Sequence, residues 1–397
     1  MLFNKYFHLT YCTNIHPGEN WKVTFKNIEK FVPIIKKKVS KEKPFGLGLR
    51  LSNTASEELG VGENLTNFKN WLDKNDIYVF TMNGFPYGNF HNEKVKDMVH
   101  APDWTTKERV DYTKRLFQQL SYLMPDGIEG GISTNPISYK YWHNSKEKTE
   151  EAFSIGARYM AEIVLQLFNI ENTTGKYLHL DIEPEPDGMM ENSDEVLMYY
   201  QKYLIPIASK TLMNALGCNK EKARELILKY ITVCYDVCHF ALAFEEPEYT
   251  FNKLESAGIK IGKIQVSAAL KIIFNGKNDE EVWNSLSRFN EPTYLHQVTQ
   301  KVEDKVKTYW DLPELLENKK QFTELRAHFH VPIFLDTFDE LYSTQDHILK
   351  VLQYLKKDVV SNHLEIETYT WDVLPKSLKL ELSDSIVREM DWLKENL

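Results

Sequence analysis

Between Tyr177 and Glu183 the chain alternates as a strand does, with His179, Asp181 and Glu183 on one face and Leu178, Leu180 and Ile182 on the other. Pro184 and Pro186 then stop it. A carboxylate turned into a folded chain is costly unless it is hydrogen-bonded, paired or bound to a cation. Such a strand end is therefore either an ordinary solvated acidic loop or a place where chemistry is done. Three other apolar runs end in the same way: Ile231 to Asp236, with His239 three residues on; Gly262 to Ser267, with Gln265 near its end; and His363 to Asp372, with Glu365 and Glu367 on one face. Glu183, Asp236, Gln265 and Glu367 together offer three carboxylates and one amide oxygen, a hard donor set suited to Mg or Mn. If His239 or the His328/His330 pair also binds, the mixed nitrogen and oxygen set favours Zn, or Fe, Co or Mn. Each histidine alone reads as a hydrogen-bonded structural residue; the four strand ends together read as a metal site.

Side chains so far apart in sequence meet only if their strands all point one way around a closed sheet, which is the property of a (β/α)8 TIM barrel. The rest of the chain supplies the strands. Tyr6–Cys12 reads as strand one, Phe45–Ser52 as strand two with Arg50 toward its end, and Ile77–Met82 as strand three leading into the glycine-punctuated loop Asn83–His91. Gly127–Thr134 reads as strand four. Amphipathic helices are expected at about 21–38, 63–75, 106–123, 147–168, 192–216, 219–230, 248–257, 344–356 and 376–396, so strand and helix alternate throughout. From 268 to 321 the pattern loosens, with a short helix at 312–318. Glu324–Phe334 then alternates cleanly, with Arg326, His328 and His330 on one face. That run is a ninth strand, which an eight-stranded barrel accommodates only in an insertion between strands seven and eight, at about 268–340.

A chain of 397 residues, 42% of them hydrophobic, can bury a large core, and no Pro/Gly/Ser-rich linker or repeat divides it. The expectation is one domain over 1–397. A net charge of -9 argues against a nucleic-acid groove, which needs clustered Lys and Arg. No run of 18 or more apolar residues suggests a membrane span, and no secretory signal is visible. Cys12, Cys218, Cys234 and Cys238 are too few and too scattered for a disulfide framework. Cys234 and Cys238 read as buried thiols and the compartment as the cytoplasm.

At these residues the sequence resembles the xylose isomerase-like TIM barrels, which include sugar isomerases, ketose epimerases, hydroxypyruvate isomerases and zinc-dependent apurinic endonucleases. Asp236-Val-Cys-His239 is similar to the superfamily's Asp-x-x-His, and Gln265 to the hydroxypyruvate isomerase variant in which Gln replaces His. Within that group the chain resembles the metabolite traffic protein EboE family. The segments that carry this are His8–Glu19, Pro44–Ser52, Thr81–Gly88, Asp236–His239, Lys263–Leu270, His328–Pro332 and Glu367–Pro375. The resemblance implies a divalent ion (Mn, Mg or Zn) on Glu183, Asp236, Gln265 and Glu367, with His239 either a further ligand or a residue that orients one. It implies Glu183 and Glu367 as the acid/base pair moving a proton next to a carbonyl through an enediolate. Arg50, Asn83, His328 and His330 would face the substrate. The implied function is a sugar or cyclitol isomerase or epimerase acting on a polyhydroxylated metabolite in a secondary-metabolite biosynthesis or export pathway, alongside other proteins of that pathway. A non-catalytic metabolite carrier is the alternative. The endonucleases hold extra zinc on histidines from early strands, where this chain has Arg50, Asn83 and Ser133. Its His328-x-His330 falls where they carry Asp-x-His, which leaves room for a second ion.

Overall fold

The computed structural model describes residues 1–88, 96–290, 295–368 and 381–397. Eight parallel strands form the barrel: β1 (Phe7–Tyr11), β2 (Phe45–Arg50), β3 (Ile77–Asn83), β4 (Gly130–Thr134), β5 (Leu178–Ile182), β6 (Ile231–Asp236), β7 (Ile261–Val266) and β8 (His363–Ile366). Around the sheet they run β1, β8, β7, β6, β5, β4, β3, β2, with a two-residue strand, Leu2–Phe3, antiparallel to β1. Every barrel ladder is parallel. Between β1 and β2 the ladder thins to one bridge, Cys12 with Gly48. There the Gly48 N–H donates to Thr10 Oγ1 at 2.8 Å and the Arg50 N–H to Thr13 Oγ1 at 2.8 Å.

The strands are buried on both faces, for different reasons. Leu9, Leu47, Leu49, Leu180, Val233 and Leu364 belong to the apolar core beneath the surrounding helices. The opposite face is polar: Lys263 and Glu365 form an ion pair with both side chains fully buried. Small residues make the room. A Cβ on Gly48 would run into the Glu365 carboxylate, and one on Gly131 into His179 and Asp181.

The helices begin and end where the chemistry predicts. Asn20 caps Trp21–Val39 through Val23 N, Ser145 caps Lys146–Thr174 through Lys148 N, and Gly175 closes the latter at φ 74°. Lys146–Thr174 outruns its expected end at 168, and Asn53–Leu59 is a helix that the sequence reading passed over.

Between β7 and β8 lies a second, antiparallel sheet made of Ala268–Ile273, Val298–Val302, Lys305–Tyr309, Glu324–Val331, Thr337–Phe338 and Leu341–Ser343. Glu324–Val331 pairs with Ala268–Ile273 on one side and Val298–Val302 on the other, so the ninth strand belongs to the insertion. The expected loosening from 268 is in fact a strand separated from β7 by Ser267 alone. Ser267 Oγ turns the chain there, donating to Asp236 Oδ1 and accepting from Cys238 N. Parts of the expected loop 83–91, the strand 363–370, the motif 367–375 and the helix 376–396 lie outside the described residues.

Candidate metal centre and active site

The C-terminal strand ends converge. Glu183 follows β5, Asp236 ends β6 and Glu367 follows β8, and one carboxylate oxygen from each lies within 4.8 Å of the others. All three are buried. Glu367 is held by amides: Asn14 Nδ2 and Asn83 Nδ2 each donate to Oε1 at 2.8 Å, and Gln265 Nε2 donates to Oε2. Asp236 Oδ1 accepts from Ser267 Oγ at 2.7 Å and from His239 N at 3.1 Å, the latter capping the short helix Val237–Leu242. That helix start is what carries His239 back over the site. Glu183 Oε2 and Asp236 Oδ2 have no hydrogen-bond partner among the described residues.

A second set of donors adjoins the first. His239, His328 and Glu185 bring ligand-type atoms within 4.8 Å of one another, as do Asp236, His239 and His330. Each ring is anchored through Nδ1: His239 to Pro184 O at 3.0 Å, His328 to Gln297 Oε1 at 2.9 Å and His330 to Glu367 O at 2.7 Å. The acceptors are oxygens, so each Nδ1 carries a proton and each ring, when neutral, keeps its lone pair on Nε2, the arrangement that such oxygens impose on metal-binding histidines. His239 Nε2 and His328 Nε2 then face each other at 3.1 Å. Two lone pairs at that separation repel unless a proton or a cation lies between them.

The electrostatics agree. Burial, then the charges of Glu367, Asp236 and Glu185, hold the Glu183 carboxyl well above the usual carboxylate range. Burial, then Asp236 and Glu365, do the same to Glu367. Burial, reinforced by His239 and His330, pushes His328 well down, so it is a neutral donor. Asp236 goes the other way: burial opposes ionisation, but His239, His330 and the Ser267 hydrogen bond overcome it and lower its pKa. Crowded acids with orphaned buried oxygens beside the neutral imidazole of His328 are what a divalent cation would relieve. The residues fit one: Glu183, Asp236 and Glu367 suit a hard ion, and His239, His328 and Glu185 a softer one.

No family model matches the chain, and no curated protein matches it by sequence. Solved structures do match. A xylose isomerase-like TIM barrel protein from Mycobacterium smegmatis in complex with magnesium is 7% identical and aligns over 100% of this chain and 98% of its own, at a TM-score of 0.52. The fold is that of the xylose isomerase-like TIM barrels. A D-tagatose 3-epimerase-like protein (12% identical, 98% and 96% covered, TM-score 0.49) and the IolI protein with a zinc atom (11% identical, 98% and 97% covered, TM-score 0.44) also match.

In this xylose isomerase-like barrel the predicted site residues do not all arrive together. Glu183, Glu367, His239, His328, His330 and Asn83 line one cavity of about 70 Å³, room for a cation and a few waters. Gln265 reaches the rim of the acid cluster with its NH2 toward Glu367 and its Oε1 accepting from Cys234 Sγ. Rotation of the amide by half a turn would present the oxygen instead. Arg50 is elsewhere: buried, with its guanidinium donating to Gly18 O at 3.2 Å and to Gly88 O. It fastens loops and is not among the residues lining the cavity.

The sequence reading missed Glu185, His100, Asn14 and Gln297, all on the cavity wall. His100 Nε2 lies 2.8 Å from Glu185 Oε1. Glu185 had a signal, since two prolines bracket it and hold it beside Glu183. Asn14 had a weaker one, three residues past β1 where a strand-end side chain would face the mouth. All four cysteines are free, and Cys234 and Cys238 are buried. Cys238 also lies within ligand reach of His328 and His330.

Proposed function

We propose that the C-terminal mouth is the active site of a divalent-metal-dependent isomerase or epimerase acting on a sugar or cyclitol, by moving a proton next to a carbonyl. The observation that supports it is the meeting of the buried Glu183, Asp236 and Glu367 within 4.8 Å of one another. A divalent ion held by these three, with Gln265 joining after amide rotation, would supply Lewis-acid polarisation of the substrate carbonyl. His239, His328 and Glu185 offer a neighbouring seat for a second, softer ion such as Zn.

The chain's own groups divide the proton work. Glu183, with Oε2 unengaged and its pKa raised, would remove the proton and, in an isomerisation, return it to the neighbouring carbon, whereas in an epimerisation Glu367 would return it from the opposite face. Glu367, gripped by Asn14, Asn83 and Gln265, presents a fixed carboxylate on the other side of the enediolate's oxygens. His330, anchored through Nδ1 to Glu367 O, and Asn83 would orient the substrate hydroxyls. At about 70 Å³ the chamber admits the reacting end of such a substrate. The resemblance of the motif segments to the EboE family is what supports a secondary-metabolite pathway as the setting for this activity.

Candidate ketoses, aldoses and inosose-type cyclitols, incubated with the Mn-, Mg- or Zn-loaded protein in D2O, should exchange the proton next to the carbonyl. Glu183→Gln should lower that exchange by roughly 100- to 10,000-fold. Binding of the same compounds without exchange in any metal form would defeat the catalytic reading and favour the carrier.

A further inference from the structure

The opposite, N-terminal end of the barrel carries a second constellation that the proposed reaction does not use. His179 near the start of β5, His363 at the start of β8 and Glu129 just before β4 bring ligand-type atoms within 4.8 Å of one another. Both histidines are buried. His179 Nδ1 lies 2.6 Å from Asp181 Oδ1, and Thr232 Oγ1 donates to the same oxygen. The carboxylate therefore accepts a hydrogen bond from Nδ1–H, and in the neutral ring Nε2 is left as the donor to a metal, the carboxylate–histidine pairing that orients imidazoles toward transition metals. The ring nitrogens of His363 have no side-chain hydrogen-bond partner among the described residues, and the backbone of Glu129 lies beside the ring.

The neighbouring strands are hollowed for this group. A Cβ on Gly131 would meet the His179 ring and Asp181, and one on Gly262 would meet Asp181, Thr232 and His179. Asn362 Nδ2 donates to Glu129 Oε1 at 3.0 Å, which steadies the one partly exposed member. A cavity of about 460 Å³ lies against Glu129 and His179. It would leave a fourth coordination position to water or an incoming ligand.

We propose that Glu129, His179 and His363 form a binding site for a borderline transition-metal ion of the Zn or Co class, with Asp181 as the residue that orients His179. Two imidazoles, one carboxylate and an open position make a known zinc donor set. The two carboxylates, Glu129 and Asp181, balance a 2+ charge. The ion would pin the starts of β4, β5 and β8 to one another, at the face of such barrels where stability rather than catalysis resides. This site shares no residue with the proposed active site, so either can fail alone.

The test uses the full chain, stripped with a chelator and titrated with Co2+ alone, followed by d–d absorption and by metal content after gel filtration. Asp236→Asn/His239→Asn, which disables the opposite mouth, should still bind one equivalent. Adding Glu129→Gln should weaken that binding by roughly 10-fold or more, and Asp181→Asn should do so by roughly 10- to 100-fold with an altered spectrum. Zn2+ should raise the Tm of the mouth-disabled chain and raise that of its Glu129→Gln derivative by less at the same concentration. Glu129 is partly exposed, so its replacement reads out whether or not the buried histidines tolerate theirs. If the mouth-disabled chain does not fold, Glu129→Gln in the native chain must remove one equivalent by itself. Total loss of Co2+ from a folded mouth-disabled chain, or binding indifferent to both Glu129→Gln and Asp181→Asn, would overturn the proposal.

Discussion

Three amide groups on Glu367 mark it as a fixed point, whereas Glu183 keeps an oxygen unengaged, and that asymmetry separates the two acids more sharply than their types do. Asn14 reaches Glu367 across 353 positions of sequence and Asn83 across 284. Hydrogen bonds to a charged group are each worth about 1.5–3 kcal/mol. Asn14→Ala or Asn83→Ala should therefore weaken divalent-ion binding at the mouth by roughly 10- to 100-fold, measured by titration of the stripped protein. Arg50→Gln should leave metal affinity unchanged and lower stability, because its guanidinium ties the loop carbonyls of Gly18 and Gly88 and not the cavity. Of the residues read from the sequence, the strand-end acids were legible because period-2 alternation fixes their face. Glu185 and Asn14 were harder to read, because they sit three residues past their strands, where the alternation that still reaches Glu183 and Glu367 has lapsed.

The Lys263–Glu365 pair shows what the strands' inner face costs and gains. Removing one partner of a fully buried pair leaves an uncompensated charge, at about 3–5 kcal/mol. Lys263→Met should destabilise by that amount in urea unfolding, and Lys263→Met/Glu365→Leu should recover most of it. The C-terminal helix, Leu382–Asn396, is docked by a different device: Glu389 Oε1, buried, accepts from Thr368 Oγ1 at 2.7 Å and from Ile333 N at 3.2 Å. Burial dominates those hydrogen bonds and pushes its pKa up to about 8. A folded pKa above the unfolded value means that the native state holds the extra proton. Stability should then fall by roughly 1.4 kcal/mol per pH unit between about pH 5 and 8, and Glu389→Gln should abolish that slope in denaturant titrations. The eight barrel strands were visible as apolar runs, and so was the strand Glu324–Val331. The insertion's first strand was not, because Ala268–Ile273 continues the apolar character of β7 and only Ser267, through bonds to Asp236 and Cys238, marks the break.

For the molecule as a whole, acid should be more damaging than mild alkali. Burial lowers His8 to about 4 and His347 to about 3, so both stay neutral in the folded chain while the unfolded chain protonates them near pH 6.5. Their contribution is complete above pH 6.5 and is lost as the pH falls toward 4 and then 3. Each costs roughly 1.4 kcal/mol per pH unit over that range. Combined with the opposite slope from Glu389, thermal unfolding should show its highest Tm near pH 6 to 7. Among the described residues no helix is long and apolar enough to cross a membrane. The barrel itself was legible as a whole, since only a ring of parallel strands brings four distant strand ends to one place; how the ring joins up was not. Between β1 and β2 it rests on a single bridge and on the hydroxyls of Thr10 and Thr13. A cylinder sewn shut by two side chains has a weakest stave. If the walls ever part, they should do so along that line, and the amides of Gly48 and Arg50 should trade their protons for deuterons ahead of those in any other wall of the ring.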